Sequence, residues 1–346
     1  MRKRVTLAMI AEACETSVGT VSRAINQKSD INAETKAYIL EKAAELGYRF
    51  ENKTHSIGKP LRLGAVYSYG NKEFFSQITD GLEAAKRDLI KKDINVEIEL
   101  FQTQYLDQTL QYDLLKTIDP GKFDGLLINC AGMEIGRLID RFNQQGLPVA
   151  TFNTDAPNSS RIFFVGTNAY DSGYLGGGLL GKMIRGQGKV ATFGDFANNF
   201  SWVERLSGFC SVLQREYPKI ELIPILQSCT DERVVYESMK EFMIAHPDVT
   251  ALFTPNSSST VGTINALTEL GRKDIIMVGY DLSNETRQSL KNDYCDAVLY
   301  QNPYKQGYLS VEYMVRYLLS GELPDRSCSL LPTSIIMKYN LDLADS

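Results

Sequence analysis

Histidine is nearly absent from this chain. His55 and His246 are the only two among 346 residues. Neither stands at a spacing that a zinc site or a Ser-His-Asp arrangement uses. The six cysteines, at 14, 130, 210, 229, 295 and 328, are scattered with no CxxC pair. They read as reduced packing thiols, not as disulfides or a metal knot. No apolar run approaches the ~18 residues of a membrane span. The basic start Met1-Arg2-Lys3-Arg4 is not followed by a signal-peptide core, since Ala11 leads straight into Glu12, and a cytoplasmic protein is expected. Glycine-rich residues 186–189 lack the Walker spacing and its Ser/Thr, so they read as a helix-to-strand loop. Gly176, Gly177 and Gly178 lie inside a helical pattern, where close helix packing is the expectation. No nucleophile, base and oxyanion donor assemble. An enzyme, a cofactor, a metal centre and a membrane protein are thereby all disfavoured.

What remains is ordinary for a globular chain, with 43% hydrophobic and 23% charged residues and length for two or three domains. The net charge of −5 is unevenly placed. Residues 1–62 hold eleven Lys and Arg against seven Asp and Glu, a net of +4, which leaves −9 on the rest. A small basic region on an acidic body gives a local phosphate footprint and repels DNA elsewhere.

Within the basic region, residues 5–26 hold two short helical patterns around a tight break. Leu7, Ile10 and Ala11 recur at helical spacing behind Thr6, a good N-cap. Ser17 opens the second pattern, which carries Val21, Ala24 and Ile25 on one face. Val18, Gly19, Ser22 and Arg23 share the other face. Small residues beside one arginine suit a helix laid in the DNA major groove, where arginine can fork onto guanine. The residues alone fit equally a small helical hairpin packed on a larger domain.

The pattern resembles the N-terminal module of the LacI/GalR family of bacterial transcription regulators. The resemblance rests on Val5, Thr6, Leu7, Ile10, Ala11, Ser17, Thr20-Val21-Ser22-Arg23 and Asn26, with a third helical stretch from Ala33 ending in Leu46-Gly47-Tyr48. It implies a helix-turn-helix headpiece over 1–48 that touches DNA through Thr6, Ser17, Val18, Gly19, Thr20, Ser22, Arg23 and Asn26. Met9 stands where the family usually has Asp, and Cys14-Glu15-Thr16 replaces a usual Ala-Gly-Val. The middle position suits glycine because it is left-handed, and a non-glycine residue there costs up to ~1 kcal/mol. Residues 49–60 read as a polar linker ending in Gly58-Lys59-Pro60. In the family this segment is a hinge that folds on DNA and wedges a Leu into the minor groove. Here only Asn52 fits the pattern, Ile57 is the substitute wedge, and a plain tether fits as well.

From residue 61 short apolar runs alternate with amphipathic helical patterns. Strands are expected at 61–67, 96–101, 125–129, 149–153, 162–166, 189–195, 221–227, 251–255, 275–281 and 297–301. Helices are expected at 74–91, 170–185, 203–217, 232–245, 259–270 and 303–319. This α/β alternation predicts parallel sheets covered by helices. A second series with the same rhythm starts near Gly166, so two similar subdomains face each other across a cleft. The rhythm resembles the type I periplasmic sugar-binding-protein fold that family members carry as an effector and dimerisation domain, here 61–346. The resemblance implies an N-subdomain of 61–165 plus 298–326 and a C-subdomain of 166–297 plus 327–346, with crossings near 164–166, 295–300 and 325–333.

By the same resemblance, Asp281, Asn256, Arg205 and Gln301 form the second-lobe wall of a sugar pocket. Asp281 and Asn256 also read as strand-end caps, and Arg205 as a surface ion-pair partner. Phe74 and Phe75 would stack on a sugar ring or pack in the core. Trp202 could cap the pocket, and Asn129 and Asp155 end their strands where they could add polar contacts. Asn129-Cys130-Ala131-Gly132-Met133 offers no Asp-Arg pair, so a deoxy sugar, a modified sugar or a cyclic polyol suits this wall as well as ribose. The expected protein is a homodimeric, sugar-responsive, DNA-binding repressor that takes no cofactor. The sequence leaves open a regulator that senses a protein partner, such as a phosphocarrier, instead of a sugar.

Overall fold

The computed structural model describes residues 6–25, 32–46, 59–68, 72–103, 107–195, 199–228, 231–325 and 327–344. Its contacts divide the chain into two compact units, Met1–Lys59 with Val315–Leu323, and Pro60–Met314 with Pro324–Ser346.

The first unit holds helices α1 (Leu7–Ala13), α2 (Val18–Ile25) and α3 (Ala33–Glu45). Thr6 Oγ1 accepts from Met9 N at 3.3 Å and starts α1. Ser17 Oγ accepts from Thr20 N at 3.0 Å and does the same for α2. Ile10, Ala11, Val21, Ala24, Ile39 and Ala43 bury a small shared core. The break between α1 and α2 passes through Glu15 at φ 51°, in the left-handed region expected there.

The second unit is built on two sheets. The first series runs β1 (Leu61–Ser68), α4 (Lys72–Ile90), β2 (Val96–Thr103), α5 (Gln108–Thr117), β3 (Gly125–Ile128), α6 (Ile135–Gln144), β4 (Val149–Phe152) and β5 (Phe164–Gly166). The second runs α7 (Ala169–Met183), β6 (Gln187–Asp195), α8 (Phe200–Glu216), β7 (Lys219–Ser228), α9 (Glu232–Ala245), β8 (Ala251–Phe253), α10 (Ser257–Leu270), β9 (Ile276–Tyr280), α11 (Asn284–Lys291) and β10 (Ala297–Tyr300). Helix α12 (Pro303–Ser320) and the short strands β11 (Cys328–Leu330) and β12 (Ser334–Ile336) follow. The sheets are ordered β11-β5-β4-β3-β1-β2 and β12-β10-β9-β8-β6-β7. The two series therefore repeat one topology. Every pair is parallel except β10 with β12. In each sheet the order reverses beside the first strand, between β1 and β3 and between β6 and β8, which is where ligands of open α/β sheets bind.

The third crossing, between β11 and β12, lies within the expected 325–333, but two lobe boundaries fall later than expected. Residues 298–300 were expected with the first lobe, but β10 pairs with β9 and completes the second sheet. A strand–helix–strand unit returns its second strand beside the first, and β9–α11–β10 is such a unit. Residues 327–330 were expected in the second lobe, but β11 pairs with β5 in the first sheet. The chain thus crosses after β5, after β10 and after β11.

Glycine sets the packing that matters to the site. A Cβ on Gly173 would lie 1.8 Å from the carbonyl of Arg205, and one on Gly208 would lie 2.0 Å from that of Tyr170. Helices α7 and α8 therefore meet backbone to backbone, which holds α8 and its Arg205 against the sheet. Gly176 and Gly177 press on Phe253, Leu299, Val212 and Phe209, the close packing expected of them. Gly186 (φ 73°) and Gly188 (φ 125°) form the turn into β6.

Candidate ligand cleft

Polar residues follow the carboxyl ends of the strands in both sheets: Asn129, Asn153 and Thr167 in the first, Asn199, Asn256, Asp281 and Gln301 in the second. Asn153 and Asp281 directly follow β4 and β9, equivalent strands in the repeat, and both are left-handed, at φ 61° and 65°. Asn and Asp are the non-glycine residues that adopt this backbone most readily.

Arg205 is buried on α8. Its guanidinium lies 4.2 Å from the Tyr280 ring centroid, Nη1 donates to the Pro255 carbonyl at 2.8 Å, and Nη2 donates to Gln301 Oε1. Gln301 Nε2 donates to Asp281 Oδ1 at 2.9 Å. Thr167 Oγ1, from the first crossing, also donates to Gln301 Oε1, at 3.3 Å. The structure therefore joins three expected residues, Arg205, Gln301 and Asp281, in one buried network. Burial pushes the Asp281 carboxyl up to about 6, against the opposing pull of Arg205 and of the Gln301 hydrogen bond. Burial likewise raises Tyr280 to about 12.

Buried polar atoms that meet no hydrogen-bond partner among the described residues include Asn129 Oδ1 after β3, Thr192 Oγ1 within β6, Asn199 Nδ2 at the start of α8 and Arg205 Nε on α8. An unmet buried group costs about 1–3 kcal/mol, and a polar ligand is one way to meet it.

Other expected residues sit differently. Asp155 gives both oxygens to Arg161, with Nη2 to Oδ2 at 2.6 Å, and also accepts from Thr151 Oγ1 and Ala156 N. It is the centre of a structural ion pair. Asn256 caps α10, its Oδ1 accepting from Ser259 N at 2.9 Å. Phe74 and Phe75 are buried edge to face, and Phe75 stacks on Tyr67 at 5.6 Å, which is core packing. Trp202 packs partly against the core beneath the second sheet. In the first unit, Val18 is 48% exposed, and Ser17 and Gly19 are also exposed, while Thr20 is half-buried. Ser22 and Arg23 fall within α2. Asn26, His55, Cys229 and linker residues 49–58 lie outside the described residues.

Contacts the sequence did not announce tie the lobes together. Glu73 on α4 accepts from Asn284 N at 2.7 Å and from Asn284 Nδ2 at 2.8 Å. One turn on, Gln77 Nε2 donates to the Leu282 carbonyl, and Gln77 Oε1 accepts from Tyr300 OH, each at 3.2 Å. Within the first lobe, Asn153 Nδ2 donates to Gln306 Oε1 at 3.2 Å. An acidic residue next to an aromatic pair, or a glutamine early in a helix, gives no such signal in sequence.

Among the described residues, no group of three or more His, Cys, Asp or Glu is placed to hold a metal ion, and no helix is long and apolar enough to cross a membrane.

The family model described as periplasmic binding protein domain matches residues 64–323. A xylose/arabinose-binding protein, XylF of Sulfolobus acidocaldarius, is 30% identical over 194 residues, which are 51% of this chain and 47% of that relative. A probable HTH-type transcriptional repressor, ExuR of Bacillus subtilis, is 23% identical over 290 residues, 80% of this chain and 81% of that one. The solved structure of GanP, a glucose-galactose binding protein from Geobacillus stearothermophilus, superposes with a TM-score of 0.73 at 23% identity, over 82% of this chain and 99% of that one.

Proposed function

This chain belongs to the periplasmic binding protein domain family, and on that premise we propose that it is a cytoplasmic transcription regulator whose DNA affinity is set by a sugar or polyol. It has the α/β fold of type I periplasmic binding proteins, with two parallel-sheet lobes, and it is not an enzyme. The observation that carries the regulatory half is the three-helix unit of residues 6–46. Its second helix leaves Ser17, Val18 and Gly19 exposed at its start while Val21 and Ala24 are buried. The likeness to a repressor over 80% of the chain points the same way. The ligand half rests on the Arg205–Gln301–Asp281 network and on Arg205 Nε, which is buried with no hydrogen-bond partner among the described residues.

In this reading two chains pair, and two headpieces read a near-palindromic operator. Arg23 supplies the polar base contact, and Val18 favours a thymine methyl. Hydroxyls of the ligand donate to Asp281 and accept from Arg205. Binding shifts the lobes toward the closed form, and the operator affinity follows. Selection of bound fragments from random duplex DNA tests the first half. A short inverted repeat is expected to emerge, and Arg23→Ala should weaken binding to it by ~1–3 kcal/mol with relaxed base preference. Emergence of no preferred sequence removes the regulator reading. A thermal-shift panel of pentoses, hexoses, deoxy sugars and inositols tests the second, and a flat panel removes the sugar.

A further inference from the structure

Gln306 was not expected at the site, yet it is fully buried in the first turn of α12. Its Nε2 donates to the backbone carbonyl of Gln301 at 2.9 Å. A carbonyl oxygen can only accept, so the orientation of the Gln306 amide is settled by that bond. Gln306 must then turn Oε1 toward Asn153, whose Nδ2 donates to it at 3.2 Å. Asn153 must in turn show Oδ1 to Asn129, whose Nδ2 donates at 3.2 Å. The last atom of the series is Asn129 Oδ1, which is buried and meets no partner among the described residues. The same logic fixes the Gln301 side chain. Its Oε1 faces the Arg205 cation and its Nε2 faces the Asp281 carboxylate. One hinge residue thus orients both walls, the second lobe through its side chain and the first through its backbone.

We infer that Gln306 is a positioning residue that, through Asn153, locks Asn129 as a hydrogen-bond acceptor, so that the ligand must present a donor hydroxyl or amine to the first lobe as well as to Asp281 in the second. This rests on the proposal that the cleft takes a polyhydroxylated ligand. A ligand that offers only acceptors on its first-lobe side is refused, because two acceptors would be buried against each other. The directionality runs through three neutral amides, so the preference is insensitive to pH between the titration ranges of carboxylates and amines.

Two readouts separate this inference from the ligand proposal. The first uses the full chain without any sugar. The side-chain amide resonances of Asn129 and Asn153 are assigned by their loss in Asn129→Ala and Asn153→Ala. In Gln306→Met, which keeps bulk and removes both bonds, both resonance pairs are expected to move, although Asn129 lies two amides from the substitution. An unmoved Asn129 pair overturns the relay. Gln306→Glu guards against loss of fold in the methionine variant, since it can accept from Asn153 but, ionised, cannot donate to Gln301. It is expected to move the same resonances. The second readout is calorimetric titration with D-xylose, D-arabinose, D-galactose and myo-inositol. For the best of these, Gln306→Met is expected to raise Kd about three- to ten-fold. The same substitution should cost nothing further in an Asn129→Ala background. Losses that simply add overturn the positioning role. If the unmodified protein binds none of the four, the polyol proposal fails, and the resonance shifts alone decide the relay.

Discussion

Asp281 carries an electrostatic cost. Its backbone is left-handed, and burial lifts its carboxyl from 3.8 to about 6. A raised value means that the folded protein holds this proton more tightly than the unfolded chain does. The stability it contributes is therefore complete below about pH 4 and is lost as the pH rises through about 6. Asp281→Asn keeps the shape and tolerates the left-handed backbone equally well, so it isolates the charge. At pH 7.5 the variant should melt at a higher temperature, by an amount on the order of 1–3 kcal/mol of stability. The gap should close on acidification to pH 4, as scanning calorimetry at several pH values will show. Sugar affinity should run the other way. A hydroxyl donates best to the ionised carboxylate, so Kd should rise as the pH falls through about 6, and the Asn variant should lose that dependence. Residue-scale chemistry was partly legible in the sequence. Arg205, Asp281 and Gln301 were expected at a pocket through resemblance, and the structure joins the three in one network. Asn153 and Gln306 were not expected, because their roles come from hydrogen bonds between residues 153 positions apart in the chain.

At the scale of elements, two left-over costs make the strongest predictions. Glu15 occupies the α1–α2 break at φ 51°. Glu15→Gly should stabilise that turn by up to ~1 kcal/mol, seen as slower hydrogen exchange at the Thr16 amide, which donates to the Ala11 carbonyl at 2.9 Å. Gly173 makes the opposite case. Gly173→Ala would drive a methyl to 1.8 Å from the Arg205 carbonyl, so α7 and α8 must separate. A loss of about 1–3 kcal/mol in chemical denaturation is expected, and with it weaker sugar binding, since Arg205 moves with its helix. The alternation that reveals such elements is strong where strands are buried on both faces. Strands β1, β3, β4 and β10 are almost entirely buried and stand out as apolar runs. Strands β11 and β12 have three residues each and are only partly buried, so their composition does not differ from a loop. Their sheet membership is decided by the partner strand, which is information outside the local sequence, and residues 327–330 were assigned to the other lobe for that reason.

At the scale of the whole binding domain, the two lobes are bridged by side chains that are not expected to touch the sugar. Glu73 and Gln77 stand one helical turn apart on α4 and bind Asn284, Leu282 and Tyr300 of the other lobe. A clasp of this kind raises the population of the closed form before any ligand arrives. The apparent affinity of a ligand that needs that form scales with its population. Glu73→Ala removes two bonds from a carboxylate, the stronger class of hydrogen bond, though partial exposure to water reduces their worth. A loss of about 1 kcal/mol in closure would weaken sugar binding about five-fold, provided closure is not already near complete. If the clasp acts on closure, the weakening should appear in the dissociation rate measured by stopped flow, and small-angle scattering of the sugar-free variant should show a larger radius of gyration. Asn284→Ala should reproduce both effects, and the double variant should add little, because the two residues serve one contact. An unchanged dissociation rate in both single variants would mean that the Glu73–Asn284 contact does not set closure.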